Sequence, residues 1–238
     1  MRPDARRAAL VGGAVLAYGA ISPRVLPRTL QLPANLGAAT STVVLVRAWG
    51  RSWRDLGLAP EDLPRGLAVG AATVPVILGV LGAAHLLPAA RDLFADERAS
   101  DASDREARHH LLLRVPIEVA LAEELVFRSA LLALGRTQGG DVPAVAATSI
   151  AFGLWHVLPA LESHRNSHGP AQAAARFGGV ATVVAGTVAA TALAGVAFAL
   201  LRLRSRSVIA PVIAHTALNS LAFLATRRLG RERPPSGV

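Results

Sequence analysis

Long apolar runs alternate with short charged segments along the whole chain. The runs are rich in Ala, Val, Leu and Gly, and each has roughly the 17–25 residues that cross a bilayer as one α-helix. Seven runs are predicted as membrane spans, at about residues 8–23, 31–46, 66–89, 111–134, 142–160, 178–201 and 207–226. The pattern therefore predicts an all-α fold, a polytopic transmembrane helix bundle of six to eight spans with its site inside the bundle.

Three polar segments separate these spans. Residues 47–65 combine charges with Trp and Pro and are expected to lie at the membrane interface. Residues 91–110 form the most polar segment and are predicted as a solvated loop or surface helix, with His109 and His110 facing solvent instead of binding a metal. Residues 161–177 are expected to be a loop with some surface helix.

A single bundle accounts for the length of the chain, and no separate soluble domain is expected. Residues 1–110 hold the first three spans and a polar loop, residues 111–226 hold the spans with candidate chemistry, and residues 227–238 form a basic tail. The first apolar run is not followed by a small-residue cleavage pattern. It is therefore interpreted as a retained span and not as a removed signal peptide.

The charged residues point to a membrane surface. Only 17% of the residues are charged, against about 25% in typical soluble domains. All 25 basic residues are Arg, the net charge is +9, and most of the Arg flank apolar runs, where they orient helices and contact anionic lipids. Membrane lipids are the expected partners, and nucleic acid is not. The Arg distribution leaves the orientation open, because a cytoplasmic N-terminus and seven spans would put the basic tail outside.

Ionisable or strongly polar residues interrupt three of the spans near their middle. They are Glu123, Glu124 and Arg128 in the fourth span, His156 in the fifth, and His215 and Asn219 in the seventh. A charge at the bilayer centre costs about 2.5–3.5 kcal/mol on insertion scales, so such residues face a cavity or each other. Because three spans share this cost, we expect the six residues to converge on one site.

Helical spacing places the two glutamates on different faces of the fourth span. Positions i and i+4 share a helix face, so Glu124 is expected to pair with Arg128, while Glu123 projects about 100° away. Each feature also has a structural interpretation on its own. A buried Glu–Arg pair can simply hold spans together, and a His or Asn in a span can serve packing or interhelical hydrogen bonds. The co-occurrence on three spans favours a shared site.

The motifs EExxxR, FxxxH and HxxxN resemble those of the CPBP family, which includes CAAX prenyl endopeptidases, bacteriocin-processing enzymes and bacterial relatives. They stand at Glu123–Arg128, Phe152–His156 and His215–Asn219, and the resemblance covers about residues 111–226. Ser129 departs from the Gly that many members carry after the Arg, but Ser is also small. The resemblance implies an intramembrane endopeptidase of the bacterial inner membrane that cleaves a membrane-associated protein or peptide.

The resemblance also implies a role for each residue. Glu123 would act as general base with His156 as its partner, and His215 and Asn219 would bind and polarise the scissile carbonyl. The Glu124–Arg128 pair would orient the site, and a direct part for Glu124 stays open. With no Cys in the chain, a cysteine nucleophile and a thiolate metal site are excluded.

The metal requirement stays open as well. Glu123, His156 and His215 are a ligand set that zinc accepts, and zinc lowers the pKa of its bound water to about 7. Because the chain lacks a local HExxH motif, a metal-free glutamate mechanism is slightly preferred. Two other functions remain as alternatives. One is a non-catalytic membrane scaffold of the same fold, and the other is a transporter, whose spans also carry ionisable residues.

Overall fold

The computed structural model describes residues 3–86, 102–166 and 178–232, and these residues are almost entirely helical. The helices are α1 (Pro3–Val25), α2 (Arg28–Ala48), α3 (Trp53–Leu56), α4 (Leu63–Leu86), α5 (104–139), α6 (Asp141–Trp155), α7 (Val157–Asn166), α8 (Val180–Ser205) and α9 (Ile209–Glu232). A short 3₁₀ turn, Pro60–Asp62, precedes α4. Since these ranges contain no β-strand, the predicted all-α fold is confirmed.

Five helical segments of the described residues are long and apolar enough to cross a membrane. They are Asp4–Val25, Trp53–Ala84, Asp141–Glu162, Val180–Ser205 and Ile209–Arg228. The other two predicted spans correspond to α2 and α5, which pack within the same bundle but contain more polar residues. The protein is therefore an integral membrane protein built as a helix bundle.

The helix that carries the two glutamates, α5, alternates between α-helical and wider π-helical turns. The π-helical stretches are His110–Leu121 and Leu125–Leu131, and the α-helical turn Ala122–Glu124 lies between them. Pro116 lies inside the first wide stretch, where it lacks the N–H of a regular ladder and its ring disturbs the preceding turn. Local π-helical turns are rare and are frequently found at functional sites.

The fifth predicted span contains a break that the hydrophobic pattern does not predict. Helix α6 ends at Trp155, His156 adopts φ −88° and ψ 0°, and α7 begins at Val157. The physical reason is Pro159, which has no N–H to donate to the carbonyl of Trp155 and whose ring would clash with that carbonyl in a continuous helix. Pro is tolerated in the first turn of the new helix, so Pro159 is the sequence signal for this break.

The connector at residues 47–65 folds onto one end of the bundle. The guanidinium of Arg202 in α8 is 2% exposed and donates to the carbonyl oxygens of Arg54 (3.2 Å) and Asp55 (2.8 Å). The N–H of Val208 donates to the carbonyl of Gly57 (2.9 Å), which has the left-handed φ of 71°. These bonds fix α3 against the turn between α8 and α9.

The predictions for the polar segments are only partly covered by the described residues. His109 is exposed, as predicted, but His110 is half-buried and stacks on Phe223 of α9 at 4.3 Å between ring centroids. The prediction that His110 faces solvent is therefore wrong, because the start of α5 packs against α9. Residues 87–101, 167–177 and 233–238 lie outside the described residues. They contain more than half of the predicted polar segments 91–110 and 161–177, and half of the predicted tail 227–238.

Candidate active site

Helix α5 is the central helix of the bundle and supplies three of the six predicted site residues. It packs against α1, α2, α6, α8 and α9, and all of its residues from 126 to 134 are buried. The predicted residues of the other two motifs come from the end of α6 and from the first half of α9. The site therefore lies inside the bundle, where charges need partners.

Glu124 connects two of the three motifs. Its carboxylate is fully buried, and Oε1 accepts hydrogen bonds from Nη1 of Arg128 (3.2 Å) and from Nδ1 of His215 (2.9 Å). Its second oxygen, Oε2, is buried and has no hydrogen-bond partner among the described residues. The i, i+4 pairing predicted from the sequence is present, and it extends across helices to α9.

The guanidinium of Arg128 is only 1% exposed and is surrounded by aromatic rings. Its Cζ lies 4.0 Å from the ring centroid of Phe152, 5.3 Å from that of Phe198 and 5.7 Å from that of Phe127. Ring faces carry negative electrostatic potential and attract a cation that water cannot reach. The aromatic rings and Glu124 together offset part of the cost of burying this charge.

Glu123 occupies a different environment from its neighbour, on another face of α5. Its side chain is 13% exposed, and Oε1 accepts a hydrogen bond from the indole Nε1–H of Trp155 (3.0 Å). Its Oε2 is buried without a hydrogen-bond partner among the described residues and lies 3.9 Å from Nε2 of His215. One oxygen of Glu123 is thus hydrogen-bonded to Trp155, while the other faces the imidazole of His215.

The ring of His215 is fixed in orientation by Glu124 and by Phe198. The rings of Phe198 and His215 stack with centroids 4.9 Å apart and an interplanar angle of 22°. An ionised carboxylate can only accept hydrogen bonds, so we assign a proton to Nδ1 of His215. With Nδ1 directed at Glu124, Nε2 is directed at Glu123.

His156 lies at the break between α6 and α7 and is half-buried. Its Nδ1 is 2.8 Å from the carbonyl oxygen of Phe152, so this nitrogen donates and Nε2 is the ring nitrogen left for other contacts. The ring of Phe152 lies between the two histidines, with centroids 4.7 Å from His156 and 5.9 Å from His215. His156 therefore borders the Glu123–His215 group, with Phe152 between the two imidazoles.

Asn219 is the least connected of the six predicted residues. It lies one turn after His215 on α9 and is half-buried. Within the described ranges, no hydrogen bond joins its amide to Glu123, Glu124 or His215. Four of the six residues are thus joined in a chain of contacts shorter than 4 Å, from Arg128 through Glu124 and His215 to Glu123. His156 and Asn219 lie at the edges of that group.

The three residues predicted as conditional zinc ligands do not form one cluster in this conformation. Among the residues that the structure describes, no group of three His, Asp or Glu side chains could hold a metal ion. Glu123 and His215 are neighbours, whereas the ring of Phe152 lies between the imidazoles of His156 and His215. The described residues therefore offer no three-ligand site in this geometry.

A mostly apolar cavity of about 280 Å³ lies beside Glu123. Its walls come from α1, α2 and α5, and Trp155 closes one side. The polar groups on its walls are Tyr18, Asn35, Thr42, Glu118 and Glu123. The Tyr18 hydroxyl donates to the carboxamide oxygen of Asn35 (2.8 Å), which joins α1 to α2.

The walls of this cavity are not marked in the sequence. The first three spans carry no motif, so their contribution to the walls could not be predicted from the pattern. Trp155 lies inside the FxxxH motif, whose pattern gives no role to this position. Its position immediately before His156 is the signal that could have identified it.

One comparison with known proteins gives a match. A family model described as type II CAAX prenyl endopeptidase Rce1-like matches residues 107–221, just under half of the 238 residues. The matched segment begins in α5, ends in α9 and contains all six predicted site residues. No curated protein and no solved structure gives a significant match to the chain.

Proposed function

Because residues 107–221 match the Rce1-like family of type II CAAX prenyl endopeptidases, we propose that this integral membrane protein is an intramembrane endopeptidase. It hydrolyses a peptide bond in a membrane-associated protein or peptide, with Glu123 activating the attacking water. The observation that supports this best is the environment of Glu123. One of its oxygens accepts a hydrogen bond from Trp155, while the other has no hydrogen-bond partner in the described part of the chain. This second oxygen lies beside His215, and Glu123 lines an apolar cavity. The bacterial inner membrane is the proposed location.

Peptide hydrolysis needs a base for water, a group that stabilises the oxyanion and a proton for the leaving amine. Oε2 of Glu123 takes a proton from the water as its oxygen attacks the scissile carbonyl carbon. The carbonyl oxygen becomes the oxyanion of a tetrahedral intermediate. When the C–N bond breaks, the proton held by Glu123 passes to the nitrogen of the leaving amine. Glu123 thus returns to its ionised form within one cycle.

His215 and Asn219 are proposed to stabilise the oxyanion. An oxyanion accepts hydrogen bonds, so Nε2 of His215 must carry a proton in addition to the proton on Nδ1 that Glu124 accepts. The two carboxylates and the Arg128 guanidinium sum to one net negative charge, and an imidazolium at His215 brings this group to neutrality. The amide of Asn219, one turn further along α9, supplies a second donor.

His156 is proposed to orient the water that Glu123 activates. Its Nδ1–H is bound by the carbonyl of Phe152, which leaves Nε2 as an acceptor for a water proton. A second contact to the water limits its rotation and directs its lone pair towards the carbonyl carbon. The Glu124–Arg128 pair keeps α5 and α9 in the geometry that these steps need.

The cavity beside Glu123 suggests the class of substrate. A space of about 280 Å³ with mainly apolar walls accommodates an apolar side chain or chain segment next to the scissile bond. Polar peptides gain little from such walls, whereas a segment that partitions into the membrane loses little water on entry. We therefore propose that the substrate reaches Glu123 from the membrane or its surface.

Cleavage assays in detergent test the proposal. Purified wild-type protein is incubated with a panel of apolar membrane peptides, next to Glu123→Gln, His156→Gln and the control Glu61→Gln, which alters an exposed carboxylate outside the site. We expect cleavage by the wild-type protein and by Glu61→Gln, no measurable cleavage by Glu123→Gln, and strongly reduced cleavage by His156→Gln. Unchanged cleavage by Glu123→Gln would overturn the assignment, and a wild-type protein that binds peptides without cleaving them would support the scaffold alternative.

Removal of metal separates the two ways of activating water. The wild-type protein is treated with a chelator, freed of the chelator and assayed on the peptide that it cleaves. We expect full activity, because Glu123 alone accepts the proton in the proposed mechanism. Activity that falls on treatment and returns with added zinc would show a metal-dependent mechanism instead.

A further inference from the structure

We propose that Trp155 is a positioning residue for Glu123, and that Gly19 of α1 provides the space that the indole needs. The proposal rests on the proposed function of Glu123 as the base. Trp155 is the last residue of α6, directly before the break at His156. Gly19 belongs to α1, outside the matched residues 107–221, so the inference assigns a part in catalysis to the N-terminal helices.

The hydrogen bond between Trp155 and Glu123 selects which oxygen can act as the base. The indole Nε1–H donates to Oε1 at 3.0 Å, and an indole nitrogen has no lone pair with which to accept a proton. It can therefore neither replace Glu123 nor remove its proton. Since the bond engages Oε1, Oε2 remains directed at Nε2 of His215, 3.9 Å away, and has no hydrogen-bond partner within the described ranges.

The indole is held from two sides. A Cβ atom built at Gly19 would overlap the six-membered ring of Trp155, so the ring lies directly against the backbone of α1. On another side the ring meets Phe127 of α5 in an edge-to-face contact, with centroids 5.9 Å apart and an interplanar angle of 74°. A side chain at position 19 would thus displace the indole and withdraw its N–H from Glu123.

Proton NMR of the indole N–H tests the contact without any substrate. The chain has three tryptophans, Trp49, Trp53 and Trp155, so a ¹⁵N-labelled sample in detergent gives three indole signals, and Trp155→Phe identifies the third. We expect this signal to move upfield in Glu123→Ala and in Gly19→Ala. It should stay in place in Gly13→Ala, since position 13 lies on the same helix with open space around it. An unmoved signal in Glu123→Ala would overturn the proposal.

Kinetics on the peptide that the wild-type protein cleaves tests the consequence. Loss of a hydrogen bond to a charged group predicts a kcat that is roughly tenfold to a hundredfold lower in Trp155→Phe and in Gly19→Ala, with KM changed less than about threefold. Gly13→Ala should match the wild type. In the Trp155→Phe background, Gly19→Ala should add little further loss, because both changes remove the same bond.

The outcomes separate this proposal from the proposed function. If Trp155→Phe keeps the wild-type kcat while Glu123→Gln is inactive, the positioning role of Trp155 is overturned and the endopeptidase assignment is supported. If Gly19→Ala and Trp155→Phe lower kcat by independent factors, the role of Gly19 falls. If the wild-type protein cleaves no peptide but the Trp155 signal still moves in Glu123→Ala, the endopeptidase assignment is overturned. Only the hydrogen bond between Trp155 and Glu123 is then supported.

Discussion

Nδ1 of His215 lies 2.9 Å from Oε1 of Glu124, the same oxygen that accepts a hydrogen bond from Arg128. One buried carboxylate therefore holds a cation of its own helix and an imidazole of another helix. This double contact ties the first motif to the third. It also explains how two neighbouring glutamates can differ, because Glu124 is held by Arg128 and His215 while Glu123 faces the cavity.

Glu124→Gln should destabilise the protein much more than Glu123→Gln. The first change leaves the buried guanidinium of Arg128 without its carboxylate, and breaking a buried ion pair costs about 3–5 kcal/mol. The second change affects a side chain that is 13% exposed and forms no buried ion pair with Arg128. Thermal unfolding in detergent measures the difference. Equal midpoints for the two variants would contradict this division of the glutamates.

Removing both charges should cost less than the sum of the single changes. Arg128→Met leaves the carboxylate of Glu124 buried with His215 as its partner, and Glu124→Gln leaves the guanidinium unpaired. In the double variant neither charge remains, so we expect a coupling free energy of about 0.5–3 kcal/mol from the unfolding midpoints of the four proteins. Strict additivity would mean that Arg128 is stabilised by its aromatic neighbours and not by Glu124.

Two substitutions at His215 distinguish the roles of its two ring nitrogens. The Asn amide can approximate Nδ1 and keep the contact with Glu124, whereas the longer Gln amide can reach the position of Nε2. If His215 donates to the oxyanion through Nε2, His215→Gln should retain more kcat than His215→Asn. The expected loss for Asn is roughly 100-fold to 1000-fold, the usual effect of removing one oxyanion donor. Higher activity in the Asn variant would assign His215 to positioning alone.

The cavity makes a separate prediction for the N-terminal helices. Ala38 lines the cavity on α2, while Thr40, two residues further along the same helix, is exposed and does not line the cavity. Ala38→Phe should fill part of the space, raise KM for a bulky apolar peptide at least about tenfold and spare the fold, and Thr40→Phe should leave KM unchanged. Equal KM values in both variants would show that the substrate does not use this cavity.

Much of the fold could be predicted because the hydrophobic pattern of the sequence shows where the membrane spans lie. An apolar segment long enough to cross the bilayer forms a helix, because each backbone polar group must find its hydrogen-bond partner within the segment in lipid. The i, i+4 spacing also correctly predicts the pair of Glu124 with Arg128. The periodicity does not show which helices are neighbours in the bundle. For this reason neither the stacking of His110 on Phe223 nor the hydrogen bond of Trp155 to Glu123 could be predicted.

The irregular parts of the backbone do not follow from the hydrophobic pattern for a different reason. The break at His156 and the π-helical turns of α5 rotate the side chains that follow them around the helix axis. Their directions therefore differ from those expected for an ideal helix of 3.6 residues per turn. Pro159 and Pro116 are the sequence signals for both features, since each removes a backbone donor inside an apolar run. His156 and Asn219 are predicted because they are polar residues inside apolar spans, at the spacing of the FxxxH and HxxxN motifs. Their contacts depend on tertiary packing, which neither signal contains.

Gly57 and Gly50 offer a matched pair for testing how the connector is fixed to the bundle. Both have left-handed backbone conformations, with φ values of 71° and 95°, so a Cβ atom costs each about 1–2 kcal/mol of backbone strain. Only at Gly57 would the Cβ also overlap the guanidinium of Arg202, which caps α3 through the carbonyls of Arg54 and Asp55. We expect Gly57→Ala to lower the unfolding midpoint in detergent clearly more than Gly50→Ala, because it breaks this capping contact as well. Arg202→Ala should remove most of that excess when combined with Gly57→Ala, and an unchanged excess would show that the collision with Arg202 is not its cause.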